Sequence, residues 1–353
     1  MARITLADIA AHVGVDRSTV SRVLSNKAAE GGISAELAER IAAKARELNY
    51  IPNTFARAVR EGRFNCAALL MSTVQGRSYL SSGLLDGIHD GLAEADMHLT
   101  VAKVPDEQLN SDDYVPKILR TLMADGLLIN YTNHLPEHLV EIVSRQKLPA
   151  IWINTRREQA AVYPRNFEAA ESMTRRLIEL GHRRIAYLDL CAGHADVPAA
   201  HFSAADRLAG YSAAMRHAGL TPREVRPPER ACTTFDMEKA FMVDFLRRPD
   251  RPTAVVCYFS VFVPAILRAA AEVGIAVPQE LSIATFAPEN FREHGLTVSA
   301  MLEPHYRMGR EAVRLLRGRV VRPTYPIASQ ALDFTWLDLD TCVPPQSRDG
   351  LVN

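Results

Sequence analysis

The sequence lacks several features by which other classes of protein are recognised. Across its 353 residues no apolar run approaches the roughly 20 residues that span a bilayer. The first ten residues, MARITLADIA, lack the apolar core and cleavage site of a secretory signal. The five cysteines are widely separated and odd in number, which fits reduced thiols better than disulfides or a zinc site. We therefore expect a cytoplasmic protein with no membrane partner.

Catalytic motifs are absent as well. The chain has no Gly-x-x-x-x-Gly-Lys phosphate loop, no Gly-x-Ser-x-Gly elbow and no metal-spaced cluster of His and Cys. His134 and His138 have the i, i+4 spacing of two metal ligands on a helix, but no third ligand is near them in the sequence. A solvated helix face is the simpler interpretation of this pair. We expect a protein that is not an enzyme and that holds no metal or cofactor.

Length and charge indicate more than one structural unit. The chain is longer than the roughly 250–300 residues at which single cores stop growing. The net charge is zero, but residues 1–63 carry a formal charge of +3 and residues 64–353 a charge of −3. This asymmetry is modest and by itself says little about a partner.

The first 50 residues have the pattern of three short helices. Thr5 is the expected N-cap of the first helix, and Gly14 follows it where a positive φ is wanted. Asp16 and Ser34 are the expected N-caps of the second and third helices. The residues spaced to face inward are Leu6, Ile9, Ala10, Val13, Val20, Val23, Leu24, Leu37, Ile41 and Ala45.

The second helix combines an apolar inner face with a polar outer face of Arg17, Ser18, Ser21 and Arg22. Arginine can donate two hydrogen bonds to a guanine edge, a contact worth roughly 1–3 kcal/mol of discrimination. Short hydroxyl side chains such as those of Thr19 and Ser21 suit phosphate oxygens. This is the arrangement of a helix-turn-helix, which lays its second helix in the DNA major groove. A solvated amphipathic helix explains the same residues about as well, so the pattern alone leaves both interpretations open.

After Asn65 the pattern changes to apolar strands that alternate with helices. The strand candidates are CAALLMS, LTVAKV, GLLIN, AIWIN, RIAYLDL, TAVVCYF and LSIATF. The helix candidates between them include LLDGIHDGLAEA, YVPKILRTLMAD, FEAAESMTRRLIELG and RLAGYSAAMRHAG. Such alternation predicts parallel sheets wrapped by helices, and this length favours two lobes. Ligands of such folds bind at the carboxyl ends of the strands, so we expect a binding cleft between the lobes.

The amino-terminal stretch TLADIAAHVGVDRSTVSRVL, with ISAELAERIAAKARELNYIPNTFARAVREGR after it, resembles the headpiece and hinge of the LacI/GalR family of bacterial transcription regulators. The resemblance continues through RLIELGHRRIAYL, RLAGYSAAMRHAGL, PTAVVCYF, VPQELSIATF and LTVSAMLEPHYRMGREAVRLL. It implies an all-α helix-turn-helix headpiece with a hinge helix, followed by an α/β two-lobed core like that of periplasmic sugar-binding proteins. The implied boundaries are 1–50 for the headpiece, 51–63 for the hinge helix and linker, and 64–353 for the core, with an N-lobe of 64–162 and 291–322 and a C-lobe of 163–290 and 323–340.

The resemblance also implies a homodimer that binds double-stranded, pseudo-palindromic operator DNA. Arg17 and Ser18 occupy the positions that choose the operator sequence, and Arg22 is the common base-reading arginine. Ala56 and Val59 fall where the hinge helix enters the minor groove, and Val59 is shorter than the usual leucine wedge. The loop SNKAAEGGIS is a few residues longer than in many relatives, and we interpret it as tolerated surface. The positions implied to contact phosphates are Thr5, Leu6, Thr19, Ser21, Ser34 and Asn53.

In the core, the resemblance implies a small-molecule effector of carbohydrate type, with Arg207 in DRLAGY as its ligand. The other implied effector residues are Asn130, Asn154, Arg165, Phe259 and Ser260. Some of these depart from the family pattern. Phe259-Ser260 stands where Asn-Asp is usual, TFAP stands where GFDD is usual, and Arg165 replaces a frequent acid.

These departures lead to a hypothesis that the effector is anionic, such as a sugar acid or a phosphorylated sugar. The expected function is a sequence-specific, effector-controlled repressor. Two alternatives stay open at this point: a drifted site that takes no sugar ligand, and an activator.

Overall fold

The structure, a computed structural model, describes residues 4–25, 28, 31–50, 63–74, 76–105, 124–132, 135–193, 201–228, 234–323 and 325–346. The chain divides into two compact units, Met1–Phe64 and Asn65–Asn353, called the headpiece unit and the core below. In neither unit is any described helix long and apolar enough to cross a membrane. The hinge helix predicted within 51–63 and the helix predicted at YVPKILRTLMAD lie almost wholly outside the described residues.

The headpiece unit contains the three helices that the sequence predicts, α1 (Leu6–Val13), α2 (Arg17–Leu24) and α3 (Ala35–Glu47). Thr5 caps α1, and Gly14 ends it at a φ of 75°. Ser34 caps α3 by accepting a hydrogen bond from the Leu37 N–H (3.3 Å). Asp16 holds the N-cap position of α2, but its side chain makes no capping hydrogen bond. The helix boundaries therefore follow from local sequence, as expected for short capped helices.

The hydrophobic interior of the headpiece unit is small. Ile9, Val20 and Ile41, one from each helix, are fully buried. The other side chains of this cluster that were predicted to face inward divide into buried ones (Ala10, Val23, Ala45) and partly buried ones (Leu6, Val13, Leu24, Leu37). A unit of this size buries little apolar surface, so each of the fully buried residues matters for its stability.

The first sheet of the core has six strands that all pair in parallel. Its order is β13-β5-β4-β3-β1-β2. Its strands are β1 (Cys66–Ser72), β2 (His98–Val104), β3 (Gly126–Asn130), β4 (Ala150–Ile153), β5 (Ala161–Pro164) and β13 (Gln330–Leu332). Side chains of α4 (Ser82–Ala93), α5 (Glu137–Arg145) and α10 (His305–Val321) complete its apolar core.

The second sheet also has six strands, in the order β14-β12-β9-β8-β6-β7, and only β14 is antiparallel to its neighbour. Its strands are β6 (Ile185–Leu188), β7 (Glu224–Val225), β8 (Ala254–Cys257), β9 (Ser282–Ala287), β12 (Ser299–Leu302) and β14 (Thr335–Leu337). One apolar cluster includes α6 (Asn166–Glu179) and α7 (Phe202–His217), and a second includes α8 (Phe235–Leu246) and α9 (Val263–Glu272). A small ribbon pairs β10 (Arg292–Glu293) with β11 (Leu296–Thr297).

Two strands belong to a different sheet from the one that the expected lobe boundaries imply. Strand β12 belongs to the second sheet, although residues 291–322 were expected in the N-lobe. Strand β13 belongs to the first sheet, although residues 323–340 were expected in the C-lobe. Both strands are short, and their places are fixed by partners far away in the sequence, such as Val162 opposite Gln330. The chain therefore passes between the sheets at three places, after Pro164, after Leu302 and after Leu332.

Candidate recognition helix and candidate effector site

Helix α2 separates a packed face from a polar exposed face. Val20 and Val23 are buried, whereas Arg17, Ser18 and Arg22 are exposed. The structure thus places the three predicted base-reading residues on one outer surface of a helix that its apolar face holds in the unit. Thr19 and Ser21, predicted to contact phosphates, lie at the border between the two faces, with Ser21 half-buried.

The predicted phosphate contacts at the start of α1 lie in a capping box. The Thr5 N–H donates to Asp8 Oδ2 (2.8 Å), and the Asp8 N–H donates to the Thr5 hydroxyl (3.4 Å). The first of these bonds, together with one that the Thr5 hydroxyl donates to the same carboxylate oxygen (2.8 Å), lowers the pKa of Asp8. Leu6 is the first residue of the helix, so its backbone N–H has no acceptor within the helix and suits an anion. Ser34 is exposed at the start of α3.

Three other predicted DNA contacts, Asn53, Ala56 and Val59, lie outside the described residues.

The long loop after α2 approaches the predicted base-reading arginine. A Cβ atom at Gly31 would lie 3.0 Å from Arg22 Cδ and 3.4 Å from Arg22 Nη1. The stem of Arg22 therefore passes over a residue that has no side chain. The sequence interpretation of this loop as tolerated surface missed the contact, because nothing in the local pattern connects a loop glycine to a side chain of the preceding helix.

Arg207 is the centre of a buried polar cluster in the core. It lies in α7, is only 4% exposed, and donates three hydrogen bonds. The acceptors are Asn166 Oδ1 (2.8 Å), the Tyr258 carbonyl (2.9 Å) and Glu303 Oε1 (2.8 Å). The guanidinium carbon also lies 4.0 Å from the centroid of the Phe286 ring. The predicted effector arginine is therefore held in one orientation, with its charge opposed by a carboxylate.

Glu303 joins Arg207 to His305. Its second carboxylate oxygen lies 2.8 Å from His305 Nε2, at the start of α10. Burial by itself would raise the pKa of Glu303, but Arg207 and His305 outweigh that effect and lower it to about 2. The carboxylate is therefore ionised at neutral pH, and it links the second sheet to the helix that packs on the first.

Asn130 and Asn154 follow the ends of adjacent strands, as the sequence predicted. Asn130 ends β3, and its side-chain N–H donates to the Tyr79 carbonyl (2.9 Å). Asn154 follows β4 with a φ of 55°. The Oδ1 atoms of both residues are buried and have no hydrogen-bond partner among the described residues. Each acceptor left in this state costs about 1–3 kcal/mol, which a ligand that donates to it would recover.

A chain of hydrogen bonds connects Asn154 to α7. His201 Nε2 lies 2.9 Å from the Asn154 carbonyl and its Nδ1 lies 2.8 Å from the Ser203 hydroxyl, which in turn lies 2.9 Å from the Tyr258 hydroxyl. A carbonyl can only accept, so Nε2 carries the proton and Nδ1 accepts. Burial lowers the pKa of His201 to about 4, although the bond to Asn154 opposes the shift. The imidazole is therefore neutral at pH 7.

The remaining predicted effector residues lie at the margin of this cluster. Arg165 is 45% exposed and its Nε lies 3.2 Å from Asp333 Oδ1, where two crossovers between the sheets run together. Phe259 is half-buried after β8, and Ser260 begins a short 3₁₀ helix, Ser260–Phe262. The structure places Asn130 and Asn154 at strand ends and Arg207 within α7, and it gives Arg165 a carboxylate partner of its own.

Sequence reasoning missed the residues that define the cluster, namely Asn166, His201, Tyr258, Glu303 and His305. Glu303 directly follows a strand of the second sheet, so the rule that singled out Asn130 would have found it had β12 been recognised. In the described ranges no group of three or more His, Cys, Asp or Glu residues is placed to hold a metal ion.

Two family models match the chain, one in the headpiece unit and one in the core. The family model "Bacterial regulatory proteins, lacI family" matches residues 5–53, and the model "Periplasmic binding protein-like domain" matches residues 174–334. The HTH-type transcriptional repressor CytR of Escherichia coli K12 is 28% identical over 320 residues, which are 88% of each chain. The HTH-type transcriptional regulator CelR of Thermobifida fusca is 28% identical over 335 residues, 91% of this chain and 93% of CelR.

A solved structure shows the fold. The Lac repressor dimer bound to operator and the anti-inducer ONPF superposes with a TM-score of 0.74 at 20% identity, over 97% of this chain and 100% of that one. The exposed polar face of α2, the two mostly parallel sheets and the two family models all indicate the same family. The chain belongs to the LacI family of bacterial regulatory proteins and is a DNA-binding transcriptional regulator.

Proposed function

We propose that the protein is a homodimeric repressor that binds a pseudo-palindromic operator and releases or tightens it in response to a small neutral effector. The exposed row of Arg17, Ser18 and Arg22 on a packed helix is the observation that supports operator reading most directly. The structure of the Lac repressor is that of a dimer on operator, which supports two recognition helices on two half-sites. Activation would use the same contacts and differ only in where the operator lies.

Arg22→Ala should lower operator affinity by about 1–3 kcal/mol, or roughly 5- to 150-fold, because the variant no longer donates two hydrogen bonds to a base edge. Fluorescence anisotropy on an operator from the protein's own promoter region measures this, with operators changed at single base pairs to show where discrimination disappears. Arg40→Ala, which removes an exposed arginine from α3, is the matched control. Equal losses on specific and unrelated DNA would contradict base reading by Arg22.

The polarity of the cluster around Arg207 supports a neutral effector over an anionic one. The charge of Arg207 is already opposed by Glu303 at 2.8 Å, so a second anion would have to displace or repel that carboxylate. Two unpartnered buried groups, Asn130 Oδ1 at the end of β3 and Asn154 Oδ1 after β4, are acceptors. Hydroxyl groups donate to such acceptors, as in carbohydrates. A solved CelR structure is a complex with cellobiose, which is consistent with such a ligand class for a relative.

Isothermal titration with neutral sugars such as ribose and cellobiose, and with sugar phosphates and uronates, tests the effector class. We expect binding among the neutral compounds and a shift of operator affinity of roughly 5- to 150-fold when the ligand is present. Binding only to the anionic compounds would instead support the anionic hypothesis. Binding to none, together with tight operator binding, would support a drifted site.

Asn130→Leu should weaken the effector that this panel identifies by roughly tenfold, because one buried acceptor for the ligand is removed. The variant should also lose about 0.5–1.5 kcal/mol of stability, because its side chain no longer donates to the Tyr79 carbonyl. Gln146→Leu, at an exposed position of the same lobe, is the control. Unchanged effector affinity in the folded variant would place the ligand elsewhere.

A further inference from the structure

Helix α10 carries an unusual density of arginine. Residues 305–322 contain six arginines and a single acid, although residues 64–353 as a whole carry a formal charge of −3. Residues 305–322 thus carry a formal charge of +5, opposite in sign to that of the core as a whole. The arginines are Arg307, Arg310, Arg314, Arg317, Arg319 and Arg322.

Carboxylates neutralise the arginines in the middle of this series, whereas those at the carboxyl end of the helix have no carboxylate partner among the described residues. Arg310 makes two hydrogen bonds of 2.8 Å to Glu94, and Arg314 pairs with Glu311. From Arg317 onward, no carboxylate of the described residues lies within ion-pair distance. Arg319 donates to the Tyr325 carbonyl (2.7 Å), and Arg317 and Arg322 are exposed.

The carboxyl end of α10 lies at the amino ends of β1 and β3 in the first sheet, where the chain enters the core. We call this side of the sheet the entry edge. A Cβ atom at Gly126, the first residue of β3, would lie 2.7 Å from Leu316 Cδ1, so Leu316 packs against the amino end of that strand. Gly126 is the register partner of Ala67, in the neighbouring strand β1. Neighbouring strands lie about 4.8 Å apart. Leu316, and the Arg317 that follows it, therefore lie at the amino end of the strand next to β1, the strand into which Asn65 leads.

Further positive charge flanks the entry edge. Arg145, the last residue of α5, and Lys147, in the loop before β4, are exposed, and the carbonyl of Pro149 lies beside Gly126. The nearby carboxylate of Asp125 accepts a hydrogen bond from the Cys66 N–H (3.4 Å). The entry edge therefore presents exposed arginines and a lysine, and the carboxylate of Asp125 already accepts a hydrogen bond.

A linker of limited length joins the core to the unit that binds DNA. The 14 residues between Tyr50 and Asn65 span no more than about 50 Å when fully extended. DNA carries a phosphate on each strand every ~3.4 Å, and a tether of this length gives the core a high local concentration of phosphates.

We propose that the arginine-rich end of α10, from Arg317 to Arg322, binds the phosphate backbone of DNA that flanks the operator. The proposal rests on the DNA-binding function and adds a second, sequence-independent contact to it. Arginines in the last turn of a helix also complement its dipole. That role affects folding alone, so binding experiments distinguish the two.

The test compares two duplexes in fluorescence anisotropy with the full chain, between 50 and 200 mM KCl. The short duplex holds the operator alone, and the long duplex adds about 15 base pairs of unrelated sequence on each side. The double variant Arg317→Gln/Arg322→Gln is compared with Arg307→Gln, an exposed arginine at the other end of the same helix. Arg319 is left in place because it is bonded to the Tyr325 carbonyl.

We expect wild-type protein and Arg307→Gln to bind the long duplex more tightly than the short one, and the double variant to lose this difference. On the long duplex, the slope of log affinity against log salt should become less steep by about 0.9 for each phosphate that the variant no longer neutralises. Equal losses on both duplexes, or no loss on either, would overturn the proposal. So would a change in sedimentation without DNA, which would assign the arginines to a second copy of the chain. Binding of the short duplex reports separately on the operator-binding function.

Discussion

Replacing Arg207 with methionine should lower the free energy of unfolding of the core by about 3–5 kcal/mol. The substitution removes three hydrogen bonds and leaves the Glu303 carboxylate buried, with His305 as its only other ion-pair partner among the described residues. Denaturant unfolding followed by circular dichroism measures the loss. The double variant Arg207→Met/Glu303→Leu is the control, because removing both charges should restore most of the stability. A loss below about 1 kcal/mol for the single variant would mean that Glu303 does not depend on Arg207.

The same ion pair predicts a dependence of stability on pH. The pKa of Glu303 is lowered from its ordinary value of 4.5 to about 2 in the folded protein. Its contribution, about 3 kcal/mol, is therefore complete above pH ~4.5 and is lost as the pH falls toward 2. The stability difference between wild type and Glu303→Gln should shrink over that range. His201, whose pKa is lowered to about 4 mainly by burial, loses its contribution between pH ~6.5 and 4 in both proteins, so most of that loss cancels in the difference.

Ile41→Ala should unfold much of the headpiece unit and leave the core intact. Ile41 is fully buried among side chains of three short helices, and its truncation costs about 2–5 kcal/mol. A unit of about 50 residues holds only a few kcal/mol of stability. Operator affinity should fall by at least about tenfold, since each 1.4 kcal/mol needed to refold the unit on DNA weakens binding tenfold.

Anisotropy with the operator duplex and thermal unfolding of the core test this second expectation. Ile41→Val is the matched control, because it removes one methyl group and costs only about 0.5–1.5 kcal/mol. If Ile41→Ala binds the operator as tightly as Ile41→Val, the headpiece unit is more stable than its small core implies. A lowered unfolding temperature of the core would show that the two units do not unfold independently.

The departures from the sequence expectations concern pairing at long range. The seven predicted strands are present, although β6 and β8 are shorter than their apolar runs. Strands β5, β12, β13 and β14, which have three or four residues each, were not singled out, and their places depend on pairing with a neighbouring strand. The expected lobe boundaries were shifted for the same reason.

The candidate effector site likewise depends on contacts between segments that are distant in the sequence. The strand ends predicted Asn130 and Asn154, and the family resemblance pointed to Arg207. The hypothesis of an anionic effector followed from a count of acids at matching positions, which could not include Glu303. That carboxylate is 96 residues away from Arg207 in the sequence and reaches it only because β12 joins the second sheet.

The headpiece helices, their caps and the polar face of α2 could be predicted from the amino-acid sequence, because these depend on contacts within a few residues along the chain. The sequence also predicted the alternation of strands and helices in the core. Three features became known from the three-dimensional structure: which strands share a sheet, that Glu303 neutralises Arg207, and that the arginines at the carboxyl end of α10 lie near the point where the chain enters the core. Those features arise from pairing and burial between distant segments, whose free energy no local pattern contains.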